Sequence, residues 1–519
     1  MFAFLVVAYV LPLWAFRFVP TEDGPAHLGN AYIIKTYYEA AGSVFRQYYI
    51  FNPRVIPNVV YHYALAGLMY ISPPWAAEKV LLSLYVIFFA LALRYLAGAT
   101  GTRAGPGIFL AFPFIYSFPF QMGFFGFAFS LVLACFGLGW FLRRGRAFSG
   151  RVWLGLNVLA IFTFFWHFLG WAFLIGGILY FAGADGLGRV LGWQPAGGTL
   201  AARRPARPWL APAYLAPAIA PAVVYYFKSD HTASLAYRPV GYLVERLFAG
   251  GVLNSLHDYQ RWEGLAVAVV FGLLLVGAAV TLAARARGGS SAETEGGGRI
   301  FVWGWGWAVP ITVAAYFLIP DGNPVRGSYV SVRLALLPFL VGAMWLAAID
   351  LRWQRRLLYV VAPLVAAAHL VGVFLGFAAA DAPLREFTSG LSRVPRNATV
   401  LAWTNLRSEP GARVNYVKHA GGYYVVSRNV VDVGNYEPSY SYFPMQWRGR
   451  SPLTFAGCYK RIPVFTRASI YAHAEYLVCW KINRNAGGVS EIFARDYRAV
   501  FRRGGLSIWR RRPPPLSPP

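Results

Sequence analysis

The sequence predicts an α-helical membrane protein that crosses the bilayer about eleven times and ends in a small α/β domain. Its 519 residues are 57% hydrophobic and 17% aromatic, with a mean hydropathy of +0.46, which excludes a disordered chain and an ordinary soluble enzyme. Long apolar runs recur up to about residue 380. The 48 Lys+Arg exceed the 21 Asp+Glu and cluster between these runs, as in proteins bound to a lipid bilayer rather than to nucleic acid.

The predicted spans follow from the apolar runs in chain order. The first run, 2–16, lacks a basic region and a small-residue cleavage site, so we expect it to be a retained span rather than a signal peptide. The runs 106–119 and 152–166 are shorter than the roughly 20 residues of a perpendicular crossing, and we expect short, broken or re-entrant elements there. The other runs cover 75–96, 121–142, 168–184, 208–227, 262–284, 300–319, 333–350 and 356–379.

Residues 57–72 decide the topology, because a span there would reverse the side of every later loop. If they lie on the membrane surface, the arginine clusters at 143–151, 203–207, 285–287 and 352–356 share one face, which the positive-inside rule makes cytoplasmic. The segment is only about 24 Å long, and His62 with several tyrosines suits an interfacial helix. We therefore expect a multi-pass plasma (inner) membrane protein with a cytoplasmic N-terminus and an extracytoplasmic C-terminus.

This topology gives a transmembrane domain at 1–380 with a long first outer loop at 18–74. Residues 284–299 are rich in Gly and Ser and predict a flexible cytoplasmic linker. Residues 381–510 contain no spanning run, and β-type segments at 398–403, 423–433 and 476–482 predict an extracytoplasmic α/β domain. The tail at 511–519 is predicted to be disordered. Cys458 and Cys479 either form a disulfide or remain two thiols, because sequence does not show that their Cβ atoms meet.

The candidate chemistry lies at the start of the first outer loop. The chain has no Walker loop, dinucleotide fingerprint, paired CxxC or HExxH motif, so the scarce acids near a membrane face become the candidates. Glu22, Asp23 and His27 follow the first span within a few residues. A carboxylate beside an apolar wall gains the basicity that a general base needs. The alternative is that Asp23 only caps the helix that starts at Pro25.

The motif DGPAHL (23–28), the long outer loop with a helix after Pro57, and AEKVLLSLY (77–85) resemble the GT-C superfamily of polytopic glycosyltransferases. That superfamily includes protein O-mannosyltransferases, the enzymes that attach aminoarabinose to lipid A, and bacterial members without an assigned role. The resemblance covers the order of elements up to about residue 380. It implies a polyprenyl-phosphate sugar as donor, a glycan, lipid or protein as acceptor at the outer face, Asp23 as the catalytic acid of the first loop, and Lys79 near the donor phosphate.

The chain departs from that superfamily at the second outer apex, where Gln121 stands at the position of an acid in many members. Because the chain also lacks an Asp-x-Asp motif, no metal ligand is predicted and no cofactor is certain, although a divalent ion stays an open alternative. One carboxylate suffices for the chemistry, since a phosphate is already a good leaving group and needs no general acid.

Further candidates supply positive charge and substrate contacts. The outer-face cations that could stabilise the leaving phosphate are Lys79, Arg326, Arg333 and Lys228. The loop 320–333 either clamps a phosphate with its two arginines or is a charged turn that reaches lipid headgroups. Candidate substrate contacts are His167, Gln121 and Tyr329, although a histidine at an apex such as that of His167 is more often an interfacial residue than a ligand.

We therefore expect a membrane glycosyltransferase that inverts the sugar carbon, with Asp23 as base and Glu22 and His27 in support. The rival hypothesis is a transporter or flippase for a lipid-linked or anionic substrate, but the sequence shows neither paired broken helices in two related halves nor ionisable residues near the midplane. A third reading is a non-catalytic assembly subunit, in which Asp23 would be only a helix cap.

Overall fold

A computed structural model describes residues 1–40, 43–100, 106–144, 149–190, 210–228, 234–287, 298–322, 328–349, 352–405, 409–453, 467–482 and 492–513. Within these residues the chain is a multi-pass helical membrane protein with a small sheet region at its C-terminal end. The coarse fold class predicted from the sequence is therefore confirmed.

Helices account for nearly all of the described chain up to Thr388. In chain order they are α1 Phe2–Ala15, α2 Gly24–Thr36, α3 Ser43–Tyr48, α4 Val60–Leu68, α5 Pro74–Ala97, α6 Phe118–Gln121, α7 Phe125–Arg144, α8 Gly150–Trp166, α9 Phe168–Val190, α10 Ala211–Tyr214, α11 Ala216–Lys228, α12 Val240–Phe248, α13 Gln260–Arg287, α14 Gly298–Leu318, α15 Val330–Leu334, α16 Leu337–Ala348 and α17 Arg352–Thr388. Two 3-10 segments, Gly98–Thr100 and Pro106–Tyr116, connect α5 to α6.

Six helical stretches among the described residues are long and apolar enough to cross a membrane: Pro74–Ala97, Phe125–Arg144, Phe168–Leu187, Gln260–Ala284, Val330–Ala348 and Trp353–Arg393. Three further apolar helical stretches, Phe2–Ala15, Gly150–Trp166 and Val302–Leu318, are shorter. The predicted run at 106–119 forms the buried 3-10 segment Pro106–Tyr116, with Pro113 inside it. The total of about eleven crossings stays a prediction.

Apolar side chains on the outside of the helices mark the surface that lipid covers. On α13, Val269, Leu273, Val276 and Val280 are each at least half exposed. Their spacing of three or four residues places them on one helical face. A continuous apolar face of this kind suits hydrocarbon chains rather than water.

The segment 57–72 forms only the short helix α4. Its nine residues extend about 14 Å, less than half of the roughly 30 Å hydrocarbon core. Tyr61, His62 and Leu65 of α4 are buried against protein. A helix of this length does not cross the membrane by itself, which agrees with the prediction that the first loop lies on one side of it.

The C-terminal region contains a mixed sheet. The strands within the described residues are β1 Tyr49–Phe51, β2 Thr399–Thr404, β3 Val431–Asp432, β4 Met445–Trp447, β5 Tyr476–Trp480, β6 Tyr497–Arg503 and β7 Leu506–Arg511. Five of them form a sheet in the order β3-β2-β5-β7-β6, in which β2 is parallel to β3 and β5, and β7 is antiparallel to β5 and β6. Helices α18 Gly421–Arg428 and α19 Arg467–His473 and short turns at Leu391–Arg393, Glu437–Ser439 and Ile492–Asp496 complete this region.

Two local predictions for this region are wrong. The segment 423–433 is not one strand, because its first part belongs to α18, which ends at Arg428 and is followed by Asn429 with φ of 59°. Packing of α18 against α2 overrides the β-propensity of its valines. The tail predicted from 511 begins later, since Arg511 lies in β7 and the backbone N–H of Arg512 donates to Asp496.

Three other predictions fall partly or wholly on residues that the structure does not describe. Of the predicted linker at 284–299, residues 288–297 lie outside the described residues, and so do residues 514–519 of the tail. Cys479 is buried in β5, whereas Cys458 lies outside the described residues. The choice between a disulfide and two thiols therefore stays open.

Candidate functional site

The first loop and the C-terminal region meet through close backbone contact. Helix α2 packs on α18, and a Cβ atom added to Gly422 would lie 1.8 Å from the carbonyl oxygen of Pro25, so only glycine permits this approach. Strand β1 pairs antiparallel with β4. Asn30 and Asn435 exchange two side-chain hydrogen bonds of 3.2 and 2.9 Å. This junction contains the predicted residues Glu22, Asp23 and His27.

The backbone around Asp23 is held by the turn after α6. Glu22 and Asp23 donate their backbone N–H groups to the carbonyl oxygens of Gln121 and Met122, at 3.0 and 3.2 Å. Gly123 follows with φ of +86°, and a Cβ atom there would lie 2.9 Å from the Cβ atom of Asp23. The position of Asp23 therefore depends on two segments that are about 100 residues apart in the sequence.

The Asp23 side chain does not cap α2. Asp23 occupies the N-cap position, but its carboxylate accepts no capping hydrogen bond, and Pro25 in the first turn removes one N–H group that would need an acceptor. Oδ1 of Asp23 instead lies 3.3 Å from Nε2 of His419, and the side chain is 15% exposed. The carboxylate thus faces the junction with the C-terminal region, and part of it remains exposed there.

Glu22 differs from its neighbour because it is fully paired. Its Oε1 lies 2.5 Å from Nζ of Lys418, and its Oε2 accepts the backbone N–H of Asn415 at 3.2 Å. This ion pair fixes Lys418 within range of the Asp23 charge. Glu22 is therefore suited to position the cation rather than to take up a proton.

The surroundings raise the proton affinity of Asp23. Burial raises the pKa of Asp23 to about 7, Lys418 opposes this rise, and Glu22 adds to it. Burial lowers the pKa of His419 well below its ordinary value, and Lys418 lowers it further. At neutral pH His419 is therefore neutral, with its Nε2 atom 3.3 Å from Oδ1 of Asp23, and a carboxylate with a pKa near 7 matches the requirement of a general base.

His27 belongs to a buried cluster with His62 and Glu437. Oε1 of Glu437 lies 2.6 Å from Nδ1 of His27, and Oε2 lies 2.9 Å from Nε2 of His62. Nε2 of His27 lies 3.0 Å from the carbonyl oxygen of Gly123. Because the three side chains come from α2, α4 and the Glu437–Ser439 turn, the cluster ties both helices of the first loop to the C-terminal region.

The charges within this cluster compensate one another. Burial lowers the pKa of His27, but the Glu437 carboxylate outweighs burial and the net pKa is raised. Burial raises the pKa of Glu437, but the two histidines outweigh it and hold the pKa below its ordinary value. Burial keeps the pKa of His62 low. Without another cation, a proton on His27 supplies the positive charge that offsets the negative charge of Glu437.

Arg333, predicted as a phosphate ligand, reaches the same junction from α15. Its guanidinium lies 3.9 Å from the ring centre of Phe124 and donates to the carbonyl oxygens of Ser328 and Tyr329. Its charge interacts with Asp23, and its Nε atom is buried without a hydrogen-bond partner among the described residues. A ligand oxygen would supply that partner. We call Glu22, Asp23, Arg333, Lys418 and His419 the Asp23 site.

Tyrosines border the Asp23 site. Tyr329, a predicted substrate contact, has φ of +66°, which is uncommon for an aromatic residue, and its ring centre lies 5.9 Å from that of Phe124, on which the Arg333 guanidinium stacks. The rings of Tyr440 and Tyr442 stack at 5.2 Å, and Tyr442 interacts electrostatically with Asp23 and Arg333. Such side chains offer an aromatic face and a hydroxyl to one ligand.

The loop 320–333 has an acid of its own. The carboxylate of Asp321 accepts hydrogen bonds from the backbone N–H and hydroxyl of Ser331 and lies 2.7 Å from Nε of Arg238. These contacts hold the start of α15 and hence Arg333. Arg326 lies outside the described residues, so the choice between a phosphate clamp and a lipid-facing turn stays open.

Four other residues predicted from the sequence are not members of the Asp23 site, and their contacts are as follows. Lys79 donates to the carbonyl oxygen of Phe16 at 2.6 Å, at the end of α1, and Lys228 is exposed at the end of α11. His167 accepts the backbone N–H of Leu169 at the start of α9. Gln121 is fully buried, and neither end of its amide has a hydrogen-bond partner among the described residues.

The sequence analysis did not single out Lys418, His419 or Glu437, and it gave His62 only an interfacial role. Glu437 is 410 positions from His27, and Lys418 is 396 positions from Glu22. The one available signal was the adjacent Lys-His pair at 418–419, which resembles any other basic pair in a strongly basic region.

Among the described residues, two sets could hold a metal ion. They are His27, His62 and Glu437, and Glu22, Asp23 and His419; in each set the ligand atoms lie within 4.8 Å of one another. In the second set Lys418 already neutralises Glu22 and competes with a cation. The first set combines two imidazoles and one carboxylate, which are the ligand types of zinc.

Comparisons with known proteins add no relative. No protein-family model matches the chain, and no curated protein matches it significantly. The function must therefore be inferred from the geometry and chemistry of the Asp23 site.

Proposed function

We propose that this protein is a membrane glycosyltransferase that moves a sugar from a polyprenyl-phosphate donor to a hydroxyl group of a glycan, lipid or protein acceptor. The observation that carries the proposal is the Asp23 carboxylate, which occupies a helix N-cap yet caps nothing and faces a partly open junction. A GT-C-like arrangement of about eleven spans belongs to the same proposal, as does a plasma-membrane location with the C-terminal region outside.

Asp23 acts as the general base in this reaction. The acceptor hydroxyl transfers its proton to the Asp23 carboxylate while its oxygen attacks the anomeric carbon of the donor. The bond between that carbon and the phosphate oxygen breaks, and polyprenyl phosphate leaves with the bonding electrons. Displacement from the opposite face inverts the configuration of the carbon. No general acid is required, because the phosphate leaves as an anion.

Arg333 and Lys418 supply the positive charge for the departing phosphate. Both interact electrostatically with Asp23, so a phosphate that lies between them is close to the base. Fixed cations in a site shielded from water stabilise developing negative charge more strongly than they would in water. Tyr329, Tyr440 and Tyr442 border the same space and suit the face and hydroxyl groups of a sugar.

The contacts of the C-terminal region favour a transferase over a transporter. The region is joined to the first loop by β1–β4 pairing, by the Asn30–Asn435 bonds and by the buried Glu437 cluster. Alternating access requires one part of a transporter to move against another around the substrate. A site built across such a junction is suited to chemistry between parts that do not move apart.

The test uses purified full-length protein, a panel of polyprenyl-phosphate sugars and an acceptor extract from cell envelopes. The readout is release of free polyprenyl phosphate by the wild type, Asp23→Asn and Asp381→Asn. Asp381 is a matched control because its side chain is 17% exposed, close to the 15% of Asp23, and it pairs with Arg385, four residues along α17.

We expect one donor to turn over, Asp381→Asn to retain turnover, and Asp23→Asn to lose roughly 100-fold or more, the usual contribution of a general base. Equal turnover by the wild type and Asp23→Asn would exclude Asp23 as the base. No turnover with any donor, once acceptors of all three classes have been supplied, would overturn the transferase proposal and favour transport.

A further inference from the structure

The cluster formed by His27, His62 and Glu437 is more than a set of hydrogen bonds. We propose that these three residues bind a divalent transition-metal ion of the zinc type, which cross-links the first loop to the C-terminal region. This inference does not rest on the proposed function. It concerns a site whose ligands come from α2, α4 and the Glu437–Ser439 turn.

The donor set fits such an ion. Nδ1 of His27, Nε2 of His62 and the two carboxylate oxygens of Glu437 converge, with contacts of 2.6 and 2.9 Å from the carboxylate to the two rings. Two imidazoles with one carboxylate is a known zinc set, whereas magnesium and calcium prefer oxygen ligands. Four-coordinate zinc holds neighbouring ligand atoms about 3.3 Å apart, so the side chains need to separate by less than about 1 Å.

The outer contact of His27 is the one that a metal-bound histidine requires. Its second ring nitrogen, Nε2, lies 3.0 Å from the carbonyl oxygen of Gly123. A backbone carbonyl in this place accepts the remaining N–H, fixes the tautomer and directs the other nitrogen to the metal. Gly123 also lies beneath Asp23, so the ion and the Asp23 site share one support.

An unpaired hydroxyl beside the cluster is an independent observation. Tyr61 packs against both imidazole rings, and its buried hydroxyl has no hydrogen-bond partner among the described residues. Water on the fourth position of the ion would supply one.

The test is metal analysis of the protein purified without a polyhistidine tag. Elemental mass spectrometry is applied to the wild type, His62→Ala, Glu437→Gln and His473→Ala. His473 is exposed on α19 and serves as the matched control for the loss of one histidine. We expect about one zinc per chain in the wild type and in His473→Ala, and less than about a fifth of that in the other two variants.

A second measurement keeps the proposal falsifiable if the variants do not fold. The wild type is stripped with a chelator, and its thermal unfolding midpoint is followed while ZnCl2 or MgCl2 is added. Zinc should raise the midpoint and magnesium should not. If the wild type contains no transition metal after growth and purification with zinc present, and ZnCl2 does not move the midpoint of the stripped protein, the site does not exist and the cluster is only an ion pair. Neither readout depends on glycosyl transfer, so this inference and the proposed function can fail separately.

Discussion

Replacing Gly123 with alanine tests whether the backbone beneath Asp23 sets the position of its carboxylate. Gly123 has φ of +86°, and a Cβ atom there would lie 2.9 Å from the Cβ atom of Asp23, 2.9 Å from the backbone nitrogen of Gly24 and 3.0 Å from that of Asp23. Carbon atoms in comfortable contact are about 3.5–4.0 Å apart, so the neighbours must retreat by about half an ångström or more. Two of these atoms belong to backbone and cannot rotate away.

The expected loss of folding stability in Gly123→Ala has two parts, and a control variant separates them. The left-handed conformation costs alanine about 1–2 kcal/mol, and forcing a methyl group into a filled space adds about 1–3 kcal/mol. Gly449 has φ of +90°, and a Cβ atom there would meet nothing within 4 Å. Gly449→Ala should therefore lose only the stability that the left-handed conformation costs. We expect Gly123→Ala to be less stable than Gly449→Ala by about 1–3 kcal/mol.

The assay compares both variants in the same detergent. Denaturant titration gives the difference in stability, and release of polyprenyl phosphate from the donor that the wild type uses gives turnover. A shift of Asp23 by about half an ångström should reduce turnover on the order of tenfold, since catalytic geometry tolerates little displacement. If Gly123→Ala and Gly449→Ala match in both measurements, the contact beneath Asp23 does not position it, and the reasoning fails.

Three further predictions concern the same junction. Turnover should rise about tenfold per pH unit below pH 7 and level off above it, because Asp23 acts in its ionised form and burial raises its pKa to about 7; a flat pH–rate profile would contradict this. In Lys418→Met the rising part of the pH–rate profile should move to higher pH, because the Lys418 ammonium lowers the pKa of Asp23. If the profile does not move, the charges of Lys418 and Asp23 do not interact. Gly422→Ala should lower the unfolding midpoint, because the new Cβ atom would lie 1.8 Å from the Pro25 carbonyl oxygen. In the control Gly67→Ala, the new Cβ atom on α4 meets nothing within 4 Å, and the helix should gain about 0.5–1 kcal/mol of stability. Similar midpoints for these two variants would mean that α2 and α18 are not in close contact.

The membrane helices could be predicted because each is a local property of the sequence. An apolar run that forms a long helix needs no distant partner to be recognised. The acids of the first loop could be found for a related reason: Glu22 and Asp23 are adjacent, and the Gly-Pro sequence after them starts the helix α2. What local reasoning could not decide is whether Asp23 uses its side chain as the cap.

The partners of these residues could not be predicted, because tertiary contacts bring them in. His419 and Glu437 reach the first loop through long-range contacts, among them the packing of α2 on α18 and the pairing of β1 with β4. The packing of α2 on α18 also explains the wrong strand at 423–433: the valines there favour a strand, but Gly422 allows a helix to approach α2 closely. Long-range contacts thus account for both the error in the fold and the gap in the site.

The pairing of the carboxylates distinguishes the base from its neighbours. Glu22 has the Lys418 ammonium, Glu437 has two imidazoles, and Asp321 has Arg238 and Ser331. A carboxylate that contacts a cation has lone pairs engaged in that contact. Asp23 has a neutral imidazole at 3.3 Å, and its pKa is raised by burial. A general base must keep a lone pair for the incoming proton and bind that proton near neutral pH, and of these four acids Asp23 meets both requirements.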